Sequence, residues 1–481
     1  MKSFVLLFCC SLSVHAADVL SLRAALDRME LGNASLRAGQ ERVHSADFNH
    51  RASLGNFLPV LKLDMSAQHL DRDLVMDLDG IRSAILQLQA QDAATQQNLA
   101  YALQGQTLTE DQLSAIESAA YDQYDAAIPH FLDTLKTQNY WLGSLSLYQP
   151  LFYGGRIYAG ERISAARQKA ARSDQKKQAG DLRRDFVKLY LQGALLRSSI
   201  ALRIDALAAM RQHRDRAAHL VEQGMADRTA LLRAELAIAE GQTALSDDSV
   251  KLSSIAITLG QMVGSPDPVE PAEAMANPPS LPPDLSQLEK RVQDRNPLVQ
   301  SLNAQAEVAK RAIAVRNADF LPEIGAFGKY ELNQSALSDL EPKWVVGIKG
   351  SVTLFHGGVD WNNRASAQAT QREVLALRDE ATSAIQAQVR RKYLALSQAR
   401  LRYENEGRQE DLARETHRVT DLRFNEGQST SLEVVDSWLA LQKVQLERLS
   451  TACDAWMALL EIAWAEGTTN EFTETWQGAQ R

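Results

Sequence analysis

The chain is short of several things, and each shortage excludes a class of protein. Beyond residue 20 no apolar run approaches the ~18 residues that a membrane-spanning helix needs, which rules out a helical membrane protein. Charge of one sign is scarce: 60 Asp and Glu against 52 Lys and Arg leave a net −8 over 481 residues, too mild and of the wrong sign for a general nucleic-acid binder. Aromatic residues make up only 6% of a chain that is 45% apolar, a water-compatible composition. Of the three cysteines, Cys9 and Cys10 lie in the N-terminal apolar stretch and only Cys453 would survive its removal, so the exported chain forms no intrachain disulfide. The nine histidines are scattered, none at metal-ligand spacing with Cys or carboxylates, and there is no Ser/His/Asp arrangement, P-loop or dinucleotide fingerprint. Neither an enzyme nor a cofactor is expected.

What is present begins with an export signal. Lys2, the apolar stretch Phe4 to Leu12 and the small-residue pattern Val14-His15-Ala16 make residues 1–16 a signal peptide cut before Ala17. Lipid attachment at Cys9 or Cys10 is the competing reading, but Phe8 and Cys9 stand where a lipobox requires a small residue.

The remainder is organised by an internal repeat. Residues 33–59 align with 296–322 at an offset of 263, superimposing Asn33 on Asn296 and Phe57-Leu58-Pro59 on Phe320-Leu321-Pro322. Further on the offset becomes 203: Trp141 meets Trp344, Leu151-Phe152-Tyr153-Gly154-Gly155 meets Leu354-Phe355-His356-Gly357-Gly358, Tyr190 meets Tyr393, Gly224 meets Gly427 and Gly264 meets Gly467. The first half therefore carries an insertion, residues 71–139. The first repeat spans 17–264 and the second 284–467, followed by a C-terminal tail, 468–481. Residues 265–283 hold seven of the thirteen prolines and read as an extended linker through which neither helix nor central strand runs.

Each repeat reads as helix, strand, strand, long helix, helix. Residues 61–68 alternate, with Leu61, Leu63, Met65 and Ala67 on one face and Lys62, Asp64, Ser66 and Gln68 on the other, which is a strand. Looser alternation marks partner strands near 141–151, 324–332 and 344–355, and Trp141, Tyr148, Tyr330 and Trp344 sit near strand ends as interface-anchoring aromatics would. From Gly155 to about Glu222 and from Gly358 to about Phe424 there is no proline, enough for two rods of about 100 Å at 1.5 Å per residue. Leu182, Phe186 and Tyr190, and Ile385, Val389, Tyr393, Leu396 and Tyr403, recur at helical spacing with alanine between them, as close-packed helices require. Shorter helices are expected at about 230–263 and 285–319. In the insertion, Ile81, Ile85 and Leu88, then Leu113, Ile116, Tyr124 and Ile128, predict a packed helical cap; the alternative is a disordered Gln- and Ala-rich loop.

Four strands cannot close a barrel, because the smallest membrane barrels have eight and lipid tolerates no open edge. The chain must therefore oligomerise, and only a larger barrel leaves an aqueous bore.

The duplicated strand-strand-long-helix plan, the Phe-Leu-Pro marks, the Leu-Phe-x-Gly-Gly marks and the segment from Arg423 to Asp436, RFNEGQSTSLEVVD, resemble the TolC family of outer-membrane channel proteins over residues ~20 to 467, the insertion excepted. The resemblance implies a homotrimer: a twelve-stranded transmembrane β-barrel, four strands per chain, continued by a long periplasmic α-helical barrel. It implies an outer-membrane location in contact with lipid and a passive exit duct for small toxic compounds, engaged by a periplasmic adaptor protein and an inner-membrane transporter. A conduit for type I protein secretion is the alternative within the class, and a pore-less periplasmic coiled-coil scaffold the alternative outside it.

Two sites follow. Gly224 and Gly427 stand where one long helix ends and the next begins, with cap formers behind them, Asp227 or Thr229 and Ser429 or Thr430. The resemblance makes these turns the tips that meet the adaptor. Glu433 and Asp436 are three residues apart on one helix face, and the resemblance puts them at the periplasmic constriction. There two carboxylate rings would raise one another's pKa and favour cations. The plainer reading is that Thr430-x-x-Glu433 is a capping box. Relatives often lock this end with an arginine and a tyrosine, whereas here the matching positions are Ser429 and Phe424, and the first-copy position matching the acidic one is Ala230. The basic run Arg167, Lys169, Arg172, Lys176, Lys177, Arg183 and Arg184 reads as a solvated helix face rather than a binding patch.

Overall fold

The computed structural model describes residues 17–282, 284–338 and 340–480; the expected signal peptide, residues 1–16, lies outside them. In chain order the first repeat runs β1 (Asp18–Leu20), α1 (Leu22–Gly32), α2 (Ala34–Gly55), β2 (Val60–His69), β3 (Leu74–Asp77), α3 (Asp79–Ala102), α4 (Glu110–Ala127), β4 (Leu132–Lys136), β5 (Asn139–Tyr153), α5 (Arg156–Glu222) and α6 (Arg228–Val263). After β6 (Val269–Pro271) come α7 (Leu285–Arg295), α8 (Pro297–Ala318), β7 (Glu323–Glu331), β8 (Trp344–Ser351), α9 (Val359–Asn425), α10 (Ser431–Glu466) and α11 (Thr469–Ala479). Helices α1 and α2 map onto α7 and α8 at 263, and α5 and α6 onto α9 and α10 at 203, so the offsets of the sequence are those of the elements. The residues group into two compact units, one of the stretches up to Ser53, Tyr158–Asn317 and from Gly358 on, the other of Leu54–Ile157 and Ala318–Gly357.

In the helical unit α5 and α9 are each unbroken over 67 residues. Phe186, Val187 and Tyr190 of α5 are buried with Leu22 and Met29 of α1 and Leu259 of α6. In the second copy Ile385, Val389 and Leu396 of α9 are buried with Leu288 and Val292 of α7 and Ile462 of α10. Helix α11 adds Phe472 and Trp476, both edge-on to the buried Trp456 of α10, with ring centroids 5.6 and 4.8 Å away.

Two expectations need correction here. The single helix at 285–319 is two, because the Asn296 side chain caps a new start: its Oδ1 accepts from the backbone N–H groups of Leu298 and Val299 (2.9 and 3.2 Å), while its amide donates to the Ala465 carbonyl at 2.9 Å. Asn33 does the same in the first copy, accepting from Ser35 and Leu36 and donating to Met262 at 2.8 Å, so the aligned asparagines are one structural device used twice. The proline-rich linker, in turn, is docked rather than free. Val269–Pro271 pairs in parallel with β1, which prolines permit on a two-stranded edge, and the Asn277 carbonyl accepts from Trp456 Nε1 at 3.0 Å.

The second unit is a four-stranded antiparallel sheet in the order β2-β5-β7-β8, leaving β2 and β8 as open edges. The register aligns Leu63, Leu145, Tyr330 and Trp344 in one row across the sheet and Leu61, Leu147, Gly328 and Val346 in the next. Directly paired residues share a face, so one face is a continuous apolar band. Lys62, Ser146 and Lys329 form a row on the other. Strand β8 ends at Ser351, short of the expected Phe355. Tyr148 pairs with Val60 and Phe327 on the face away from the apolar band and bonds the Tyr153 hydroxyl, so it does not share the band's face with Trp141, Tyr330 and Trp344 as four interface anchors would. Both Gly-Gly marks are strand-to-helix turns with two successive left-handed residues, φ +58° and +79° in one copy and +57° and +79° in the other, a backbone path open only to glycine.

The insertion belongs to this second unit. It carries a strand pair, β3 with β4, and above it the α3/α4 helical hairpin, so it is packed and not a disordered loop. Of the expected apolar face, Ile81 and Leu88 are exposed instead; α3 packs through Arg82, Leu86, Ala90 and Ala94. Leu113, Ile116, Tyr124 and Ile128 are half-buried.

Candidate functional site at the helix tips

The α5–α6 and α9–α10 turns are built alike. At one, Gly224 has φ +70°, Met225 N donates to Leu220 O (2.8 Å) and Gly224 N to Val221 O (3.0 Å). At the other, Gly427 has φ +72°, Gln428 N donates to Arg423 O (2.8 Å) and Gly427 N to Phe424 O (3.0 Å). This is the Schellman closure, which needs a residue in the left-handed region just past the helix. The caps of the following helices differ. Asp227 Oδ1 accepts from Thr229 N at 3.0 Å, whereas Thr430 and Glu433 form a full capping box, Glu433 N donating to Thr430 Oγ1 (3.3 Å) and Thr430 N to Glu433 Oε2 (2.9 Å). Of the paired cap candidates, Asp227 and Thr430 are the caps.

The two tips touch. Ser431 Oγ donates to the Ala230 carbonyl at 3.0 Å and so accepts from His213 Nε2, also at 3.0 Å. That geometry puts the imidazole proton on Nε2 and leaves the buried Nδ1 without a partner. Burial, with the Arg216 cation adding to it, pushes the His213 pKa down to about 4, so the ring is neutral near pH 7. Arg216 pairs with Asp421 across α5 and α9 at 2.5 Å. Beneath lie Ala217, Phe424 and Val434, the Phe424 and His213 ring centroids 4.7 Å apart. His417, also pushed below its ordinary pKa by burial, meets Ser437 Oγ at 3.1 Å.

These facts place the expected site residues. Gly224 and Gly427 are at the tips. Glu433 and Asp436 are both exposed on α10. Within one chain the Glu433 carboxyl is held below its usual range, first by the Ser429 hydroxyl (2.5 Å) and then by the Thr430 N–H, the reverse of the mutual raising expected of a carboxylate ring, because donors rather than like charges surround it. Ser429 thus serves the cap. Phe424 is buried and reaches no partner at the surface. Junction residues that sequence reasoning missed are His213, Arg216, Asp421 and Ser431. Their signal was modest: a His and an Arg one helical turn apart, shortly before the tip glycine. In the basic run, Arg172, Lys177, Arg183 and Arg184 pair with Asp47, Asp181, Glu30 and Asp185, consistent with an internally compensated face. Among the described residues no cluster of His, Cys, Asp and Glu is arranged to hold a metal, and no helix is long and apolar enough to cross a membrane.

Residues 288–459 match the family model of the outer membrane efflux protein. No curated protein is detectably similar to the chain in sequence. Among solved structures, the outer membrane protein VceC of Vibrio cholerae superimposes with a TM-score of 0.68 at 15% identity, over 93% of this chain and 96% of its own. The CmeC outer membrane channel of Campylobacter jejuni gives 0.69 at 12%, over 94% and 89%. The open state of the MtrE outer membrane channel of Neisseria gonorrhoeae gives 0.67 at 16%, over 93% and 89%. At these identities the likeness speaks for the fold: the chain has the architecture of these outer-membrane channels, and the sequence match to the outer membrane efflux protein family is confined to the second repeat.

Proposed function

We propose that the chain is the outer-membrane exit duct of a tripartite efflux system, acting as a homotrimer and passing small toxic compounds. The observation that carries this reading is the sheet. A band of exposed apolar side chains, among them Leu61, Leu63, Met65, Val346 and Ile348, crosses strands of 8 to 15 residues whose outer members have no further partner among the described residues. Such a face suits lipid, and such edges are satisfied in lipid only by closure with further copies. Three four-stranded sheets give a twelve-stranded barrel, and the long helices give the periplasmic tunnel. The tips at Gly224 and Gly427 are the docking points for a periplasmic adaptor and, through it, an inner-membrane transporter. No step needs catalysis or a cofactor. Purification tests the reading: the protein should be recovered from detergent-extracted outer membrane as a trimer, and loss of the gene should sensitise cells to toxic small molecules. A stable, detergent-free monomer in light scattering overturns it.

A further inference from the structure

Residues 71–139 contain eleven Asp and Glu against three Lys and Arg, a net −8 that equals the formal charge of the entire chain, so the rest of the sequence is electrically balanced. The acids are unevenly placed. Helix α4 carries Glu110, Asp111, Glu117, Asp122 and Asp125, whereas α3 beyond its first residue carries Asp92 alone.

The hairpin is rigidly assembled. The buried Arg82 guanidinium donates to the Asp125, Ile128 and Pro129 carbonyls at 2.6 to 3.1 Å and pairs with the Asp125 carboxylate at 2.7 Å, gripping the C-terminal end of α4 where orphan carbonyls need donors. Its base is fixed to the sheet. Leu70 N donates to Gln138 O (2.8 Å), prolonging the β2/β5 pairing, and Lys136 Nζ bonds the Ala336 carbonyl at 2.5 Å and the Glu341 carboxylate in the β7–β8 connection.

Opposite its packed face, α3 presents Ile81, Ile85, Leu88, Asp92, Thr95, Leu99 and Ala102. The steps are four, three, four, three, four and three residues, the seam spacing of a coiled coil. Ile81, Leu88 and Leu99 are 56%, 66% and 62% exposed, so nothing among the described residues covers this seam. We propose that the α3 seam packs against the same seam of the other two copies, closing the outer end of the duct with a three-helix lid jacketed by acidic α4 helices. The inference rests on the trimeric reading above. The occupant follows from the sheet: β2, an open edge, runs directly into the insertion, so the closure that pairs this edge with another copy brings three α3 helices around one axis. Association through α4 instead would set its carboxylates against each other. Asp92 makes the lid reversible. It sits mid-seam, where Gln96 donates to it at 2.8 Å, and three like charges in one layer weaken the contact while fixing its register.

Cysteine cross-linking tests this in the mature trimer, checked by mass spectrometry for loss of Cys9 and Cys10 with the expected signal peptide; the background is then silent, because Cys453 is buried and its pKa is pushed up to about 12. Leu88→Cys should oxidise to disulfide-linked dimers at least tenfold more completely than Glu117→Cys on α4. Asp92→Leu, added to Leu88→Cys, should raise that yield and alone should lower single-channel conductance severalfold. An intact trimer in which Leu88→Cys does not cross-link and reacts with a membrane-impermeant maleimide as fast as Glu117→Cys overturns the seam. Protection from the maleimide without cross-linking also overturns it and points to lipid as the occupant. Unchanged conductance in Asp92→Leu overturns the lid. Absence of a trimer in every variant and in the parent overturns the functional reading itself.

Discussion

Helices α6 and α10 have the same length and the same place in their repeats, yet α10 buries seventeen of its residues and α6 nine. The difference lies in what each repeat adds around a common frame. Helix α10 lies along α9 and is clasped by α11 and the linker, with Trp456 at the centre. Helix α6 meets α5 through small and polar contacts, Gly241 over Leu207 and Asp248 bonded to Ser199 and Arg203, and leaves Leu232, Leu236, Val250 and Ile257 exposed along one stripe. One helix is completed within its own chain, and the other leaves an apolar stripe that the trimer proposed above would cover.

The strongest way to break this contrast is at Trp456 and its first-copy equivalent, Ser253. Trp456→Ala removes a fully buried ring and orphans the Asn277 carbonyl, and should destabilise the protein by about 3–5 kcal/mol in denaturant titrations in detergent. Ser253→Ala, at an exposed position of α6, should change stability by less than about 0.5 kcal/mol. Equal losses would mean that α6 is anchored as firmly as α10.

The second prediction concerns the junction between the tips. His213 is neutral in the fold with a pKa of about 4, against 6.5 for a free histidine, so between these values the unfolded chain binds the extra proton. The stability of the junction should therefore be full above pH 6.5 and decline as the pH falls toward 4. We expect a loss of about 2 kcal/mol, less than the full shift would give because the facing Arg216–Asp421 pair is partly exposed and screened. Hydrogen exchange at the ends of α5 and α9 checks it. Acceleration at pH 5 should be present in the parent and absent in His213→Phe, and an equal acceleration in both would place the titrating group elsewhere, His417 being the nearest alternative.

Where sequence and structure agree, the reason is periodicity. The two 67-residue helices, the face of β2 and the Gly-Gly turns all rest on local patterns that repeat at a fixed offset, and each was legible because a second copy confirmed the first. What was missed rests on contacts distant in sequence. Strand β6 is three residues long, too short for any alternation to show, and its partner β1 lies about 250 residues earlier. The His213–Ser431–Ala230 relay joins three positions from two repeats. On α3 the spacing predicts a helix, but apolar residues line both faces, and spacing alone does not say that Leu86, Ala90 and Ala94 pack while Ile81 and Leu88 stay exposed.

A smaller effect separates the tips themselves. Gly224→Ala and Gly427→Ala should each cost about 1 kcal/mol, since alanine must enter the left-handed region although nothing crowds its Cβ. Thr430→Ala should cost about 1 kcal/mol, and Asp227→Ala no more than that, because the second tip has a reciprocal box and the first a single cap bond. Melting curves in detergent measure the pair, and a larger loss at Asp227 would reverse the ranking. A defect in adaptor binding beyond the stability loss, read by pull-down at low temperature, would assign the glycine tips their docking role.

The finest comparison is between the capping and the pore reading of Glu433 and Asp436. Both side chains are exposed, and Glu433 is held ionised below its ordinary range by Ser429 and Thr430, so its charge is lost only when the pH falls through that lowered value. If three copies bring these carboxylates around a narrow opening, their field is focused there and favours cations. The double variant Glu433→Ala and Asp436→Ala should then lower the cation preference of single channels in planar bilayers while the trimer stays intact. The preference of the parent channel should persist into mildly acidic solution, because the depressed pKa keeps the Glu433 ring charged. Unchanged selectivity together with a lowered melting temperature would make Glu433 a helix cap alone. It would move the selective constriction to another ring of charge, for which the acidic insertion, residues 71–139, is the next candidate.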